Sequence, residues 1–291
     1  RGRWIVRFDD DLGGSYEEGP ENLVDHAKRD RRWCQGNLQH ARILMAPGLR
    51  AWNRFVFVQG IMAYIAPLFW LGFILASIAA PFFAPEPDYF PVPYWPFPVF
   101  PSDETWKAIG LAVGIFGLLF LPKLLIGVDA ILTGRAAGFG GPVRVMASTL
   151  AEIVFSSVTA PILMAYQTRS VLQVLMGRDG GWPTNNRGDG SMTLSEAWMA
   201  SHWIVTWGIA GIAATYFLAP GLVPWLLPVA MPMILSPLVI ASSSRASRSG
   251  LFTAPLDLHP TPVLLAHEAI LADWQSVHIP MAEVPLAVSH A

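Results

Sequence analysis

Residues 56–83, VFVQGIMAYIAPLFWLGFILASIAAPFF, form an apolar run without a charged side chain. At 1.5 Å per residue, a helix of this length can cross a hydrocarbon core of about 30 Å. Of the 291 residues in the chain, 53% are hydrophobic and 14% are charged, whereas soluble domains carry about 25% charged residues. We therefore expect a mainly α-helical, polytopic membrane protein.

Further apolar runs predict three more spans, at about residues 106–126, 202–219 and 222–241. The last of these runs is rich in proline, which predicts a kinked helix. The loop after the first span contains acidic residues and no basic residue, whereas the polar segments near 177–191 and 242–249 contain arginines. The positive-inside rule therefore places both ends of the chain in the cytoplasm.

The stretch 143–176 does not fit a simple crossing, because its apolar run contains Glu152 and Pro161 and has arginines on both sides. We predict a pair of interfacial or re-entrant helices there. The resulting division has the end of a cytoplasmic domain at residues 1–46, a membrane domain at 47–249 and a cytoplasmic tail at 250–291.

The first residues are expected to be the remnant of a soluble α/β domain. Residues 4–8, WIVRF, have the composition of a short strand. Asp9–Asp11 formally match an Asp-x-Asp metal motif, with a solvated acidic turn as the alternative. Because the chain begins without Met or a signal peptide, we expect a fragment whose upstream part is missing. The single cysteine, Cys34, excludes an internal disulfide framework, and we predict no metal site within the chain.

Residues 28–37, KRDRRWCQGN, lie in a helix predicted from about Glu21 to Met45. In that helix Arg29, Arg32, Trp33 and Gly36 share one face, because they are three, four and seven residues apart. Arginines bind phosphate oxygens in a bidentate manner, and an indole can stack on a sugar ring. The face therefore suits a diphosphate and a sugar, although a basic helix that binds anionic lipid remains an alternative.

The Arg-x-x-Arg-Trp pattern at residues 29–33 resembles the (Gln/Arg)-x-x-Arg-Trp signature of processive membrane glycosyltransferases of family two, which include cellulose and hyaluronan synthases. Residues 14–40 and 173–182 are most similar to the branch that makes osmoregulated periplasmic glucans in Gram-negative bacteria. Another polysaccharide synthase, or a non-enzymatic membrane transporter or scaffold, remains an alternative.

The resemblance implies inverting transfer of glucose from UDP-glucose to a growing glucan, coupled to export across the bacterial inner membrane. It implies that Arg32 contacts the donor diphosphate, that Trp33 stacks on the acceptor glucose, and that Arg29 replaces the Gln of cellulose synthases. The catalytic base and the ligands of an Mg²⁺ cofactor are expected upstream, so the chain alone should be inactive. Membrane lipid and an acyl carrier protein are further implied partners, and no nucleic acid is expected.

Four other residues are candidates for supporting roles. Glu17 and Glu18 would support the acceptor site, or would simply precede a helix, where acidic residues are common. Glu152 would line the glucan path or pair with Lys123, because a carboxylate in an apolar run needs water or a partner. Trp182 lies in a polar loop that would act as a gate over the active site.

Overall fold

The computed structural model describes residues 19–83, 88, 94, 96–97, 105–178, 181, 190–245 and 250–276. These ranges contain helices and no strand, which confirms the mainly α class for this part of the chain. The predicted strand at residues 4–8 and the candidates Asp9–Asp11, Glu17, Glu18 and Trp182 lie outside the described residues. The α/β remnant therefore stays a prediction.

The α-helices of the described part are joined at several points by 3₁₀ turns. In chain order they are α1 (Leu23–Gln39), α2 (Ala51–Ala79), α3 (Thr105–Leu132), α4 (Pro142–Leu175), α5 (Leu194–Leu218), α6 (Val223–Ile234), α7 (Ser236–Ser243), α8 (Pro255–Leu258) and α9 (Pro262–Ser276).

Helix α1 begins at a polar cap and ends earlier than the sequence suggested. The side chain of Asn22 accepts a hydrogen bond from the backbone N–H of Asp25, which satisfies a donor of the first turn. The helix ends at Gln39 and continues as a 3₁₀ turn over His40–Arg42. At Gly48, where a φ of 86° suits a residue without a side chain, the backbone turns toward α2.

Three helices of the described part are long and apolar enough to cross a membrane. They are α2 with its following turn, α3 and α4, with mean hydropathies of 2.1, 2.3 and 1.5. The pair formed by α6 and α7 would count as a fourth span, bent by 53° at the break between them. The span predicted at 202–219 lies in α5, which is not among the helices of the described part that qualify, since polar side chains such as His202 and Thr206 interrupt its apolar run. Almost none of the most apolar part of α2 or α3 is buried inside the protein. Such extensive exposed apolar surface is typical of contact with lipid.

Helix α4 differs most from the sequence prediction. Where we predicted a pair of interfacial or re-entrant helices at 143–176, the structure has one continuous helix of 34 residues. Pro161 lies inside it without breaking it, and the side chains of Ser157 and Thr159 bond to backbone carbonyls one turn earlier. A proline deletes a single helical hydrogen bond, which neighbouring helices and hydroxyls can compensate in a long apolar helix.

The core lies where α4, α5 and α7 meet. Its fully buried side chains include Ile162 of α4, Ile204 of α5 and Ile240 of α7, and Leu23 and Val24 of α1 pack against this cluster. Helix α1 also packs along α4 and α2. The helix with the Arg-x-x-Arg-Trp pattern is therefore held against the helices that qualify as membrane spans.

Candidate functional site

The Arg29–Trp33 face, formed by Arg29, Arg32, Trp33 and Gly36, lies on the open side of α1. The guanidinium carbon of Arg29 is 4.9 Å from the centre of the Trp33 ring, a cation–π contact. The Trp33 side chain is 55% exposed, and Arg32 is partly exposed. A Cβ atom placed on Gly36 would meet no atom of the described part within 4 Å. The shared surface that was predicted from the residue spacing is thus an accessible patch that carries an indole and guanidinium groups.

The adjacent side of α1, one residue further around the helix, packs on α2 and α4 through polar contacts. The hydroxyl of Tyr64 in α2 donates to Asp30 Oδ1 at 3.0 Å. The Nε2 of Gln167 in α4 donates to Asp30 Oδ2 at 3.1 Å. Cys34, one turn after Asp30, is fully buried. Asp30 therefore bonds with each carboxylate oxygen to a different helix.

Burial and neighbouring polar groups shift the pKa values of two titratable groups of α1. Burial raises the pKa of the Cys34 thiol to about 11, and the negative charge of Asp30 raises it further, while Arg31 opposes the shift. The thiol therefore stays protonated at neutral pH. Burial also acts to raise the pKa of Asp25, but the hydrogen bonds from Lys28 and Asn22 outweigh it and leave this pKa below its usual range.

Glu152 pairs with Lys123, which was one of the two roles predicted for it. The Lys123 Nζ lies 2.9 Å and 2.8 Å from the two carboxylate oxygens of Glu152 and 3.2 Å from the Ser156 hydroxyl. The pair joins α3 to α4. Gln167, which contacts α1, is about four turns further along α4. Glu152 is therefore not brought together with the Arg29–Trp33 face.

Sequence reasoning missed Asp30, Tyr64 and Gln167. One signal was available, because Asp30 is an acidic residue inside the basic stretch Lys28–Arg32. Tyr64 and Gln167 are polar residues inside apolar runs, where an unpaired polar group is costly. Such residues call for partners, but the sequence does not show which ones they find.

The metal-binding capacity and the cavities of the described residues were compared with the position of the Arg29–Trp33 face. In the described ranges, no group of three or more His, Cys, Asp or Glu side chains is arranged to hold a metal ion. An open cavity of about 160 Å³ lies where α1 and α5 begin, lined in part by Asp25, Lys28 and Glu196. This cavity does not include the three predicted substrate residues.

The comparison with known proteins gives the decisive observation. Over all 291 residues, the chain is 80% identical to a Cereibacter sphaeroides protein named glucans biosynthesis glucosyltransferase H. The chain resembles glucans biosynthesis glucosyltransferase H. Proteins of the same name from Rhodopseudomonas palustris strain TIE-1 and Pseudomonas entomophila are 37% and 38% identical over 94% and 96% of the chain. The resemblance suggested by residues 29–33 is thereby confirmed.

The chain spans about half the length of the Cereibacter glucans biosynthesis glucosyltransferase H, namely 49%, and covers 38% and 34% of the other two proteins. No protein-family model matches the chain. No solved structure matches it either.

Proposed function

We propose that the chain is part of a membrane glucosyltransferase that transfers glucose from UDP-glucose to a growing periplasmic glucan and couples this transfer to export across the inner membrane. The observation that carries the proposal is the 80% identity, along the whole chain, to a protein named as a glucosyltransferase of glucan biosynthesis. The apolar helices that follow α1 support the coupling to export, since a product made at α1 would lie beside the membrane.

In this proposal the Arg29–Trp33 face holds the sugar groups and the phosphates. Arg32 contacts the donor diphosphate and stabilises the negative charge that develops on it as the bond to glucose breaks. Arg29 lies over the Trp33 ring at 4.9 Å and steadies its plane. The exposed part of the indole remains available to stack on the acceptor glucose.

The reaction transfers one glucosyl group with inversion at the anomeric carbon. An acceptor hydroxyl oxygen attacks that carbon, the electron pair of the broken bond leaves with the diphosphate, and the hydroxyl proton passes to a general base. We place this base elsewhere in the full-length protein, because the residues assigned to the Arg29–Trp33 face are arginines, a tryptophan and a glycine, none of which can act as a general base at neutral pH.

Mg²⁺ is a proposed cofactor, and the described residues do not fit it, since they contain no suitable cluster of ligands. We therefore assign no step through the metal to this part of the chain and place its ligands elsewhere in the protein. Membrane lipid, an acyl carrier protein and a cytoplasmic position of both chain ends belong to the same proposal.

The test measures incorporation of UDP-[¹⁴C]glucose into glucan by membranes that contain the full-length protein with Arg32→Ala or Trp33→Ala. We expect Arg32→Ala to lower the rate by about a hundredfold, the range seen when one donor to a developing negative charge is removed. Trp33→Ala should lose most of the activity as well. Trp52→Ala, at another exposed tryptophan in the first turn of α2, is the matched control and should remain active.

If Trp33→Ala is as active as Trp52→Ala, the assignment of Trp33 to the acceptor fails. The lipid-anchor alternative predicts a different result. It expects Arg32→Ala and Trp33→Ala to weaken the contact of α1 with anionic lipid and to leave turnover unchanged.

A further inference from the structure

We propose that Asp30 is a positioning residue that fixes the Arg29–Trp33 face relative to α2 and α4 through its bonds to Tyr64 and Gln167. The consequence for glucosyl transfer rests on the function proposed above. The contact itself rests only on the geometry of the three helices.

The two faces of α1 are linked by the helical repeat. Asp30, Cys34 and Asn37 are four and seven residues apart, so they share the face that packs on the membrane helices. The residues of the Arg29–Trp33 face follow the same spacing one residue earlier, which places them about 100° around the axis. Because the helix is rigid, whatever fixes the rotation of the packed face also fixes the rotation of the exposed one.

Asp30 restrains both the rotation and the sliding of α1. Its two oxygens accept from two helices, at 3.0 Å from Tyr64 and at 3.1 Å from Gln167. Hydrogen bonds to an ionised acceptor are stronger than those between neutral groups. A roll of α1 would lengthen at least one of these bonds, and so would a slide along either partner helix.

Beside the stack of His40, in the 3₁₀ turn after α1, on Phe57 of α2, part of the contact between α1 and α2 is made by small residues, which do not fix the rotation of α1 by shape. Cys34 is a small buried side chain, and Gly60 of α2 lies so close to Asn37 that a Cβ there would collide with its amide. Close packing over small residues brings the backbones together but offers few bulky side chains that interlock. Directional polar bonds can then specify the register, as buried polar groups do in some helical assemblies.

The buried Cys34 provides a reporter of this contact that does not depend on turnover. Its thiol lies between Asp30 and Asn37 on the packed face, and burial raises its pKa to about 11, so it should react slowly with N-ethylmaleimide at neutral pH. Loosening of α1 would expose it. Alkylation is measured in membranes that contain the full-length protein, by mass spectrometry of the peptide that includes Cys34.

Tyr64→Phe is the principal variant, because it deletes one donor and keeps the ring. A change at Asp30 would be less informative, since it would also remove a charge that raises the pKa of the thiol. We expect alkylation of Cys34 to become about tenfold faster, which corresponds to ~1.4 kcal/mol in the equilibrium for opening. Gln167→Leu should act in the same direction. Tyr216→Phe, at an exposed tyrosine of α5, is the matched control and should leave the rate unchanged.

Glucosyl transfer supplies the second measurement. If Tyr64→Phe displaces the Arg29–Trp33 face, we expect a severalfold lower kcat and a nearly unchanged KM for UDP-glucose. The groups that bind the donor are retained in this variant but are held in the wrong position. Unchanged alkylation in both Tyr64→Phe and Gln167→Leu would overturn the positioning contact. Faster alkylation with a normal kcat would overturn its part in the reaction.

The two proposals fail separately. Full activity of Trp33→Ala would refute the assignment of the substrate face, whereas the alkylation rates would still decide whether Asp30 restrains α1.

Discussion

Replacing Lys123 by Met would test whether α3 and α4 cross the membrane side by side. The substitution keeps the length of the side chain and removes its charge, so the Glu152 carboxylate loses a cation that lies 2.8 Å from one oxygen and 2.9 Å from the other. In the structure the Lys123 side chain is 36% exposed and that of Glu152 is 45% exposed. The loss of stability in Lys123→Met depends on whether this exposed fraction faces water or lipid.

Two environments predict well-separated energies for Lys123→Met. If the exposed part of the pair faces water, the loss should be only about 0.2–1 kcal/mol, because solvent screens the charges. If it faces lipid, an uncompensated carboxylate should cost about 3 kcal/mol, the range found for a charge at the centre of a membrane helix. Since Glu152 lies inside an apolar helix that qualifies as a span, more than two turns from the first residue of that helix, we expect the larger value.

The assay is unfolding of the purified full-length protein in mixed micelles, followed for Lys123→Met, Glu152→Met and the double variant. The double variant should recover much of the loss, since replacing a desolvated ion pair by apolar side chains is often nearly neutral. Asp129 and Arg135, at the end of α3, form the control pair, because their side chains are 57% and 62% exposed. If Lys123→Met costs no more than Arg135→Met, the pair faces water and the expected burial in lipid is wrong.

Two further predictions concern glycines. Gly208→Ala should destabilise the protein by about 1–3 kcal/mol, since its Cβ would lie 3.0 Å from Ile234 and 3.1 Å from the Ala230 carbonyl oxygen. Gly211→Ala is the control and should lose no stability, because its Cβ would be 3.8 Å from its nearest neighbour. Equal thermal stability of the two variants would contradict the close packing of α5 on α6. Gly36→Ala should raise the stability of α1 by about 0.5–1 kcal/mol, which thermal unfolding measures. It should also lower glucosyl transfer severalfold, measured by [¹⁴C]glucose incorporation, because the methyl group would occupy the surface beside the indole. A fully active variant would argue against a sugar at this place.

The spans at 56–83 and 106–126 and the exposed face of α1 could be predicted from the sequence, because they depend on local composition and spacing. The span predicted at 202–219 could not, since α5 does not qualify as one. Trp33 lies one turn after Arg29, and the structure has the two side chains in contact. Helix boundaries were less predictable. Helix α2 begins at Ala51, ahead of the predicted start at residue 56, since a helix can extend beyond its apolar part and include Arg54.

The course of 143–176 could not be read from charge alone. Arginines at both ends argued against a single crossing, but a helix of 34 residues is longer than the hydrocarbon core and can carry its basic residues beyond it. The contacts of Asp30 were equally inaccessible to sequence reasoning. Tyr64 and Gln167 are far from it along the chain, and only the packing of three helices brings them to the same carboxylate.

The length of α4 has a mechanical consequence. Glu152 and Gln167 are about 22 Å apart along its axis, and Pro161, between them, leaves the Ser157 carbonyl without its helical N–H donor. Helix α4 therefore bends more easily at Pro161 than at its other residues. A bend of about 10° at Pro161 would displace Gln167, about 9 Å further along, by roughly 1.5 Å, enough to break a hydrogen bond. The stiffness of α4 at Pro161 therefore limits how far a movement among the apolar helices displaces the Trp33 indole on α1.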